Sequence, residues 1–226
     1  MKVFVGTSGW MYSWNSGHNL DWYASETKLN AVELNASFYR FPFPSQVKHW
    51  SKAGKDLSWS IKVNRSITHL YKLSKNSYQT FQRFQDLFSP LEQSIDNYLF
   101  QLPPGFLSSN KEKVLNLVEK FNLFDKAVIE PRDISWFDEE TQRFFRDNKL
   151  SMVSIDAPIG QFIVKTTNKI YLRMHGRTNW YSYDYSSDEL SSLKRRIIKL
   201  KPEYVYIFFN NNHDMLNNAV KMKSLF

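Results

Sequence analysis

The groups best suited to chemistry in this sequence sit at the ends of short apolar runs. Glu33 and Asn35 close one run, Lys62 and Arg65 a second, Glu130 and Arg132 a third, Asp156 a fourth, and Arg173, His175 and Arg177 a fifth. Asn210 ends a sixth. Along each run apolar and polar residues alternate. Val32 and Leu34 oppose Glu33 and Asn35, Ile61 and Val63 oppose Lys62, Val153 and Ile155 oppose Ser154 and Asp156, and Leu172 and Met174 oppose Arg173 and His175. A period of two is that of a β-strand, so the polar set of each run shares one face. With all these faces turned inward, Glu33, Lys62, Glu130, Arg132, Asp156, Arg173, His175 and Asn210 meet at one end of the fold.

The chemistry open to such a group is that of an anion site. The planar guanidinium of arginine matches the paired oxygens of phosphate or carboxylate. Lys62, Arg65, Arg132, Arg173 and Arg177 outnumber the acids Glu33, Glu130 and Asp156, so the pocket carries a net positive charge. The opposite reading pairs Glu130 with Arg132 and Glu33 with Lys62 as scaffold. His175, flanked by Arg173 and Arg177, is expected to have a lowered pKa and to stay neutral, as a general base or metal ligand requires. Glu33, Glu130 and Asp156 are the other catalytic candidates. The same four groups form a candidate metal set, whose oxygen-rich donors favour magnesium or manganese. His69 follows the third run and is placed at the same mouth, with Trp10 and Tyr12 as stacking surfaces for a substrate.

Elements of a particular kind must position these residues. Eight strand-like runs occur, at Lys2–Thr7, Ala31–Ser37, Ser58–Asn64, Tyr98–Pro103, Ala127–Arg132, Met152–Pro158, Ile170–Gly176 and Tyr204–Asn211. Gly, Pro or Asn bounds most of them. Amphipathic helical stretches lie between, among them Asn110–Phe121 and Asp188–Leu200. Strand and helix in alternation imply a parallel sheet, and eight repeats imply a closed (β/α)8 barrel of the triosephosphate-isomerase type in one domain spanning residues 1–226. Polar groups at the C-terminal ends of barrel strands read as an active site. One interval is irregular: Ile159 to Lys169 is too short for a full crossover helix, so the helix between the sixth and seventh runs should be missing or very short.

Composition narrows the class. The net charge of +8, with 16% aromatic residues, suits phosphates and stacked bases, and equally a lysine-rich surface over an aromatic core. With no cysteine there are no disulfides, no thiolate metal sites and no cysteine nucleophile. No apolar run reaches the roughly 18 residues of a membrane span, and the first residues lack the pattern of a secretory leader, so cytoplasmic residence is expected.

Seven motifs in register then carry a resemblance: Gly6-Thr7-Ser8-Gly9-Trp10, Glu33-Leu34-Asn35-Ala36-Ser37-Phe38-Tyr39, Lys62-Val63-Asn64-Arg65 with Ile67-Thr68-His69, Phe100-Gln101-Leu102-Pro103-Pro104, Glu130-Pro131-Arg132 with Ser135-Trp136, Tyr171-Leu172-Arg173-Met174-His175-Gly176-Arg177, and Tyr206-Ile207-Phe208-Phe209-Asn210-Asn211. Together these resemble the YecE-like family, domain-of-unknown-function family 72, from Gly6 to about Ala219. The resemblance implies a TIM barrel and no established reaction. Three functions stay open. One is a hydrolase, divalent-metal-assisted, acting on a phosphate ester or nucleic acid. Another is a non-catalytic nucleic-acid-binding protein, and the third a metal-free isomerase or lyase. An anionic ligand is the partner common to the first two.

Overall fold

The backbone pattern closes a sheet into a ring. A computed structural model describes all 226 residues. The strands are β1 (Lys2–Ser8), β2 (Ala31–Leu34), β3 (Ser58–Lys62), β4 (Ile95–Gln101), β5 (Ala127–Glu130), β6 (Ser151–Ala157), β7 (Gly160–Phe162), β8 (Lys169–Met174) and β9 (Tyr204–Phe209). The helices are α1 (Leu20–Glu26), α2 (Pro44–Ala53), α3 (Tyr78–Leu87), α4 (Lys111–Lys120), α5 (Glu139–Asp147), α6 (Ser187–Lys199) and α7 (Met215–Leu225). Eight parallel strands run β5-β4-β3-β2-β1-β9-β8-β6, and a β5–β6 pairing shuts the ring. This is the expected (β/α)8 barrel.

The gap between the sixth and seventh barrel strands is filled as the short interval requires. No helix forms there. Instead β7 turns back antiparallel onto β6, pairing Ile155 with Phe162, and residues 163–168 continue along the outside of the barrel. Elsewhere the helices cover the outer face. In α6 a Ser186–Glu189 capping box starts the helix, and Leu190, Leu193 and Ile197 are buried at helical spacing. In α5 the Asp138 carboxylate accepts a bond from Thr141 N at 2.6 Å.

Two apolar bodies follow from the alternation along the strands. Val5, Val32, Ile61, Leu172 and Ile207 point outward into a large core shared with the helices. Inside the barrel, Ala31, Leu99, Val128, Val153, Ile155, Tyr171, Tyr206 and Phe208 fill the lumen. Gly6 is needed where β1 meets β2, because a Cβ there would lie 2.1 Å from the Ala31 carbonyl oxygen. Polar side chains cap this apolar plug at both ends. Below it, Lys169 donates to Asn97 Oδ1 at 3.1 Å. Above it lies the cluster described next. The fourth strand begins at Ile95, three residues before the expected Tyr98, because its pairing with β3 already starts there, Ile95 beside Trp59 and the inward, polar Asn97 beside Ser60.

Candidate functional site

Arg173 organises the C-terminal end of the barrel. It sits on β8, is 1% exposed, and points into the lumen because it shares a register position with the inward Phe208. Its guanidinium clamps Glu33 on β2 through Nη2–Oε1 at 2.7 Å and Nε–Oε2 at 3.0 Å. Its third nitrogen, Nη1, reaches Glu130 Oε2 on β5 at 2.7 Å. Ser8 Oγ donates to Glu33 Oε1 at 2.6 Å and the Tyr171 hydroxyl to Oε2 at 2.7 Å. Burial alone would push the Glu33 carboxyl up; Arg173, Ser8 and Tyr171 outweigh it and hold the group below its ordinary value. Glu130 is held lower still, since Arg173 and Arg132 together overcome its burial. Both acids are therefore ionised and bound to guanidinium.

Cations surround this core on its open side. Arg132 Nη2 lies 2.7 Å from Glu130 Oε1, and the face of Trp180 covers its guanidinium at 5.4 Å. Arg132 Nε has no hydrogen-bond partner. Lys62, 8% exposed at the end of β3, has its Nζ 4.2 Å from the Phe38 ring and makes neither a hydrogen bond nor an ion pair. Burial first, then Arg173, draws its ammonium down to about 8, against the opposing pull of Glu130 and Glu33. His69 is half-buried, with Nδ1 2.9 Å from Thr68 Oγ1; burial, Lys62, Arg65 and Arg132 all lower its pKa. Arg65 is exposed beside it.

His175 lies at the back of the site with its ring fully buried. Burial and Arg173 bring it down to about 4 in spite of Glu130, so it is neutral, as its cationic neighbours lead one to expect. Asn210 Nδ2 lies 3.4 Å from its Nδ1, and its Nε2 lies 3.7 Å from Glu130 Oε1. Asn35 brings Oδ1 within 3.5 Å of Arg173 Nη2. Tyr12, Ser8 and Asn35 line a neighbouring cavity of about 290 Å³, with Trp10 in its wall.

Three expectations need correction. Asp156 does not join the cluster. The register sets Ile155 beside Arg173 and Asp156 beside Met174, so Asp156 faces outward. There it binds Arg177 (Nη2–Oδ2 3.0 Å) and the Tyr185 hydroxyl (3.0 Å), while Arg177 also reaches Glu189 on α6 at 2.6 Å. Arg177 is thus committed to an ion network behind the barrel wall, away from the Arg173 cluster. The polarity of the outer β6 face has its own cause. Without a crossover helix, the chain over β6 presents bare backbone, and Ser154 Oγ bonds both Val164 N (3.0 Å) and Val164 O (3.1 Å). Second, Glu33, Glu130, Asp156 and His175 do not form a metal set. No three His, Asp or Glu side chains converge to hold an ion, because Asp156 lies behind the wall and Arg173 occupies the other two acids. Third, Trp10 is 6% exposed and packs edge-on against Trp50 and Trp59, so it belongs chiefly to the core.

Tyr171, Ser8, Phe38 and Trp180 were not among the candidates. The inward parity of Tyr171 was legible, but an aromatic ring reads as lumen packing. Trp180 lies in a loop that has no periodicity to read. That loop turns at Gly176, whose φ of +97° leaves no room for a Cβ, 2.6 Å from Asn179 O.

Comparison with known proteins agrees with this architecture. Among solved structures, a DUF72 family protein from Thermotoga maritima is 29% identical, covering 100% of this chain and 99% of its own, with a TM-score of 0.80. A DUF72 family protein from Enterococcus faecalis is 23% identical over 99% of this chain and 96% of its own, with a TM-score of 0.82, a likeness of fold. No curated protein matches. The family model described as protein of unknown function DUF72 matches residues 4–226. The chain therefore belongs to the DUF72 family.

Proposed function

We propose that the strand-end cluster is the substrate site of an enzyme acting on a small phosphate ester, without a bound metal. One observation carries the reading. Lys62 is a nine-tenths buried cation with no acid or acceptor of its own, placed in the field of Arg132 and Arg173. That ammonium has no protein acceptor, and an anionic ligand would supply one. Arg132, with its side chain 15% exposed, would add a guanidinium as a second contact, with Arg65 at the rim. Glu33 serves Arg173 as counter-ion in this reading and Glu130 is shared by Arg173 and Arg132, which leaves Lys62 and Arg65 without an acid of their own. Lys62, lowered to about 8, can exchange a proton near neutrality.

Calorimetric titration with glycerol 3-phosphate and with inorganic phosphate tests this. Binding should weaken with salt, and at least tenfold in Lys62→Met and in Arg132→Met, whereas Asp156→Asn should bind as the parent does. No heat of binding at low salt, or equal affinity in all four proteins, would sink the reading.

A second reading has its own support. Tyr39 (68% exposed), Tyr181 (45%) and Trp180 (37%) stand around the same rim of a chain with net charge +8, a setting for stacked bases of single-stranded nucleic acid. Affinity for an oligothymidylate that survives Lys62→Met and Arg132→Met would favour it.

A further inference from the structure

We propose that Lys62 is an amine nucleophile that forms a Schiff base with an aldehyde or ketone carbonyl on the anionic substrate. The proposal rests on the phosphate-ester reading for the anchoring of that substrate, and adds to it the reacting group.

The barrel itself supplies the contrast that singles out Lys62. Two lysines are buried to 8% exposure, Lys62 above the lumen plug and Lys169 below it. Burial lowers both to about 8. Their surroundings differ. Lys169 Nζ is held by Asn97 Oδ1 at 3.1 Å and by the Asp125 carbonyl, which direct its hydrogens and fix it as a structural cation. Lys62 Nζ has only the face of Phe38 beside it. A desolvated lysine next to other cations, lacking an acceptor to hold its protons, is the state in which an amine is nucleophilic at neutral pH. Near neutral pH Lys62 therefore carries a free lone pair in a much larger share of molecules than an unperturbed lysine does.

The step balances without an oxidant. The Nζ lone pair attacks the carbonyl carbon, and the C=O π pair moves to oxygen, which takes up a proton. The nitrogen lone pair then expels that oxygen as water, so that amine and carbonyl give imine and water, both hydrogens of the water being accounted for by the amine. His69 is placed to carry these protons. Its ring centroid lies 5.1 Å from that of Phe38, the ring that Lys62 touches, and with Nδ1 engaged by Thr68 its other nitrogen is left for exchange. Arg132 holds the anionic end.

Reductive trapping provides the test. The protein is incubated at pH 7.5 with glycolaldehyde phosphate and sodium cyanoborohydride, and modified lysines are mapped by peptide mass. Lys62 should be alkylated at least tenfold faster than any other lysine, Lys169 included. Inorganic phosphate should slow that labelling, and Lys62→Arg, which keeps the charge without the nucleophile, should abolish it. Labelling of Lys62 no faster than surface lysines, in a protein that binds phosphate by calorimetry, would overturn the nucleophile while leaving the anion site standing. If unphosphorylated glycolaldehyde labels Lys62 equally fast and phosphate gives no protection, the nucleophile stands and the anion site fails.

Discussion

Replacing Arg173 by methionine should be the most damaging single change to the site. Arg173 is 1% exposed and neutralises two carboxylates that are themselves fully buried. Removing one partner of such a group leaves an uncompensated buried charge and costs about 3–5 kcal/mol, a large part of the roughly 5–15 kcal/mol by which a domain is stable. Glu130 keeps Arg132, so the stranded acid is Glu33, left with Ser8 and Tyr171 as neutral donors. The dependence on pH follows. In the parent Glu33 lies below its unfolded value, so its stabilisation is present above the unfolded pKa and is lost as pH falls through the folded one. In Arg173→Met the folded pKa rises above the unfolded value. The native state then holds the proton longer than the unfolded chain, and stability declines as pH rises from about 4.3, by up to about 1.4 kcal/mol per pH unit. Urea unfolding from about pH 2 to pH 8 would reveal the opposite slopes, the parent's below about pH 4.3 and the variant's above it. Arg173→Met with Glu33→Gln should recover part of the loss and flatten the slope. A loss below about 1 kcal/mol, or a variant curve parallel to the parent's, would refute the assignment of Arg173 as their shared counter-ion.

Three further outcomes follow from the same contacts. His175, lowered to about 4, should show no imidazole titration by NMR above pH 5. Its unfolded form binds a proton near 6.5, so its share of the stability, about 3 kcal/mol, is intact above that pH and drains away as pH falls toward 4, a drain that His175→Asn should remove. Ser154→Ala strips both bonds from Val164 and should cost about 1–3 kcal/mol in chemical denaturation, while leaving phosphate affinity unchanged. Asp156→Asn should cost about 1–3 kcal/mol by the same measurement, since it weakens the grip on Arg177.

Much of this arrangement was legible before folding, and the reason is physical. On β2, β5 and β8 a helix covers the outer face, so the outward residues Val32, Ile129 and Leu172 must be apolar, and the inward polar set of Glu33, Glu130 and Arg173 stands out by alternation. The same logic misassigned Asp156. On β6 the covering element is irregular backbone, which needs hydroxyls and carboxylates for its own hydrogen bonds, so polarity no longer marks the inside. The short interval implies a missing helix, and the missing helix removes the apolar cover that would make β6 alternate. Which cation pairs with which acid was also beyond alternation. Glu33 is bound by Arg173, 140 positions away, rather than by Lys62 on the adjacent strand, and that choice is what leaves Lys62 unpaired. No helix of the chain is long and apolar enough to cross a membrane.

The ring of strands has a weak seam. Strands β5 and β6 meet through only two residue pairs, Val128 with Ser151 and Ile129 with Met152, where β1 and β9 share six. It is at this junction that the barrel should unzip first, with amide exchange in β6 outpacing that in β1. Arg173 acts across the same junction. From β8 it grips Glu130 on β5 and Glu33 on β2, so one side chain rivets the sheet on both sides of its seam. The ionic centre can exist only once the ring has shut. A chain divided between β5 and β6 would therefore leave Glu33 and Glu130 in one fragment and Arg173 in the other, and the ion pairs of Arg173 would form only once the two were joined.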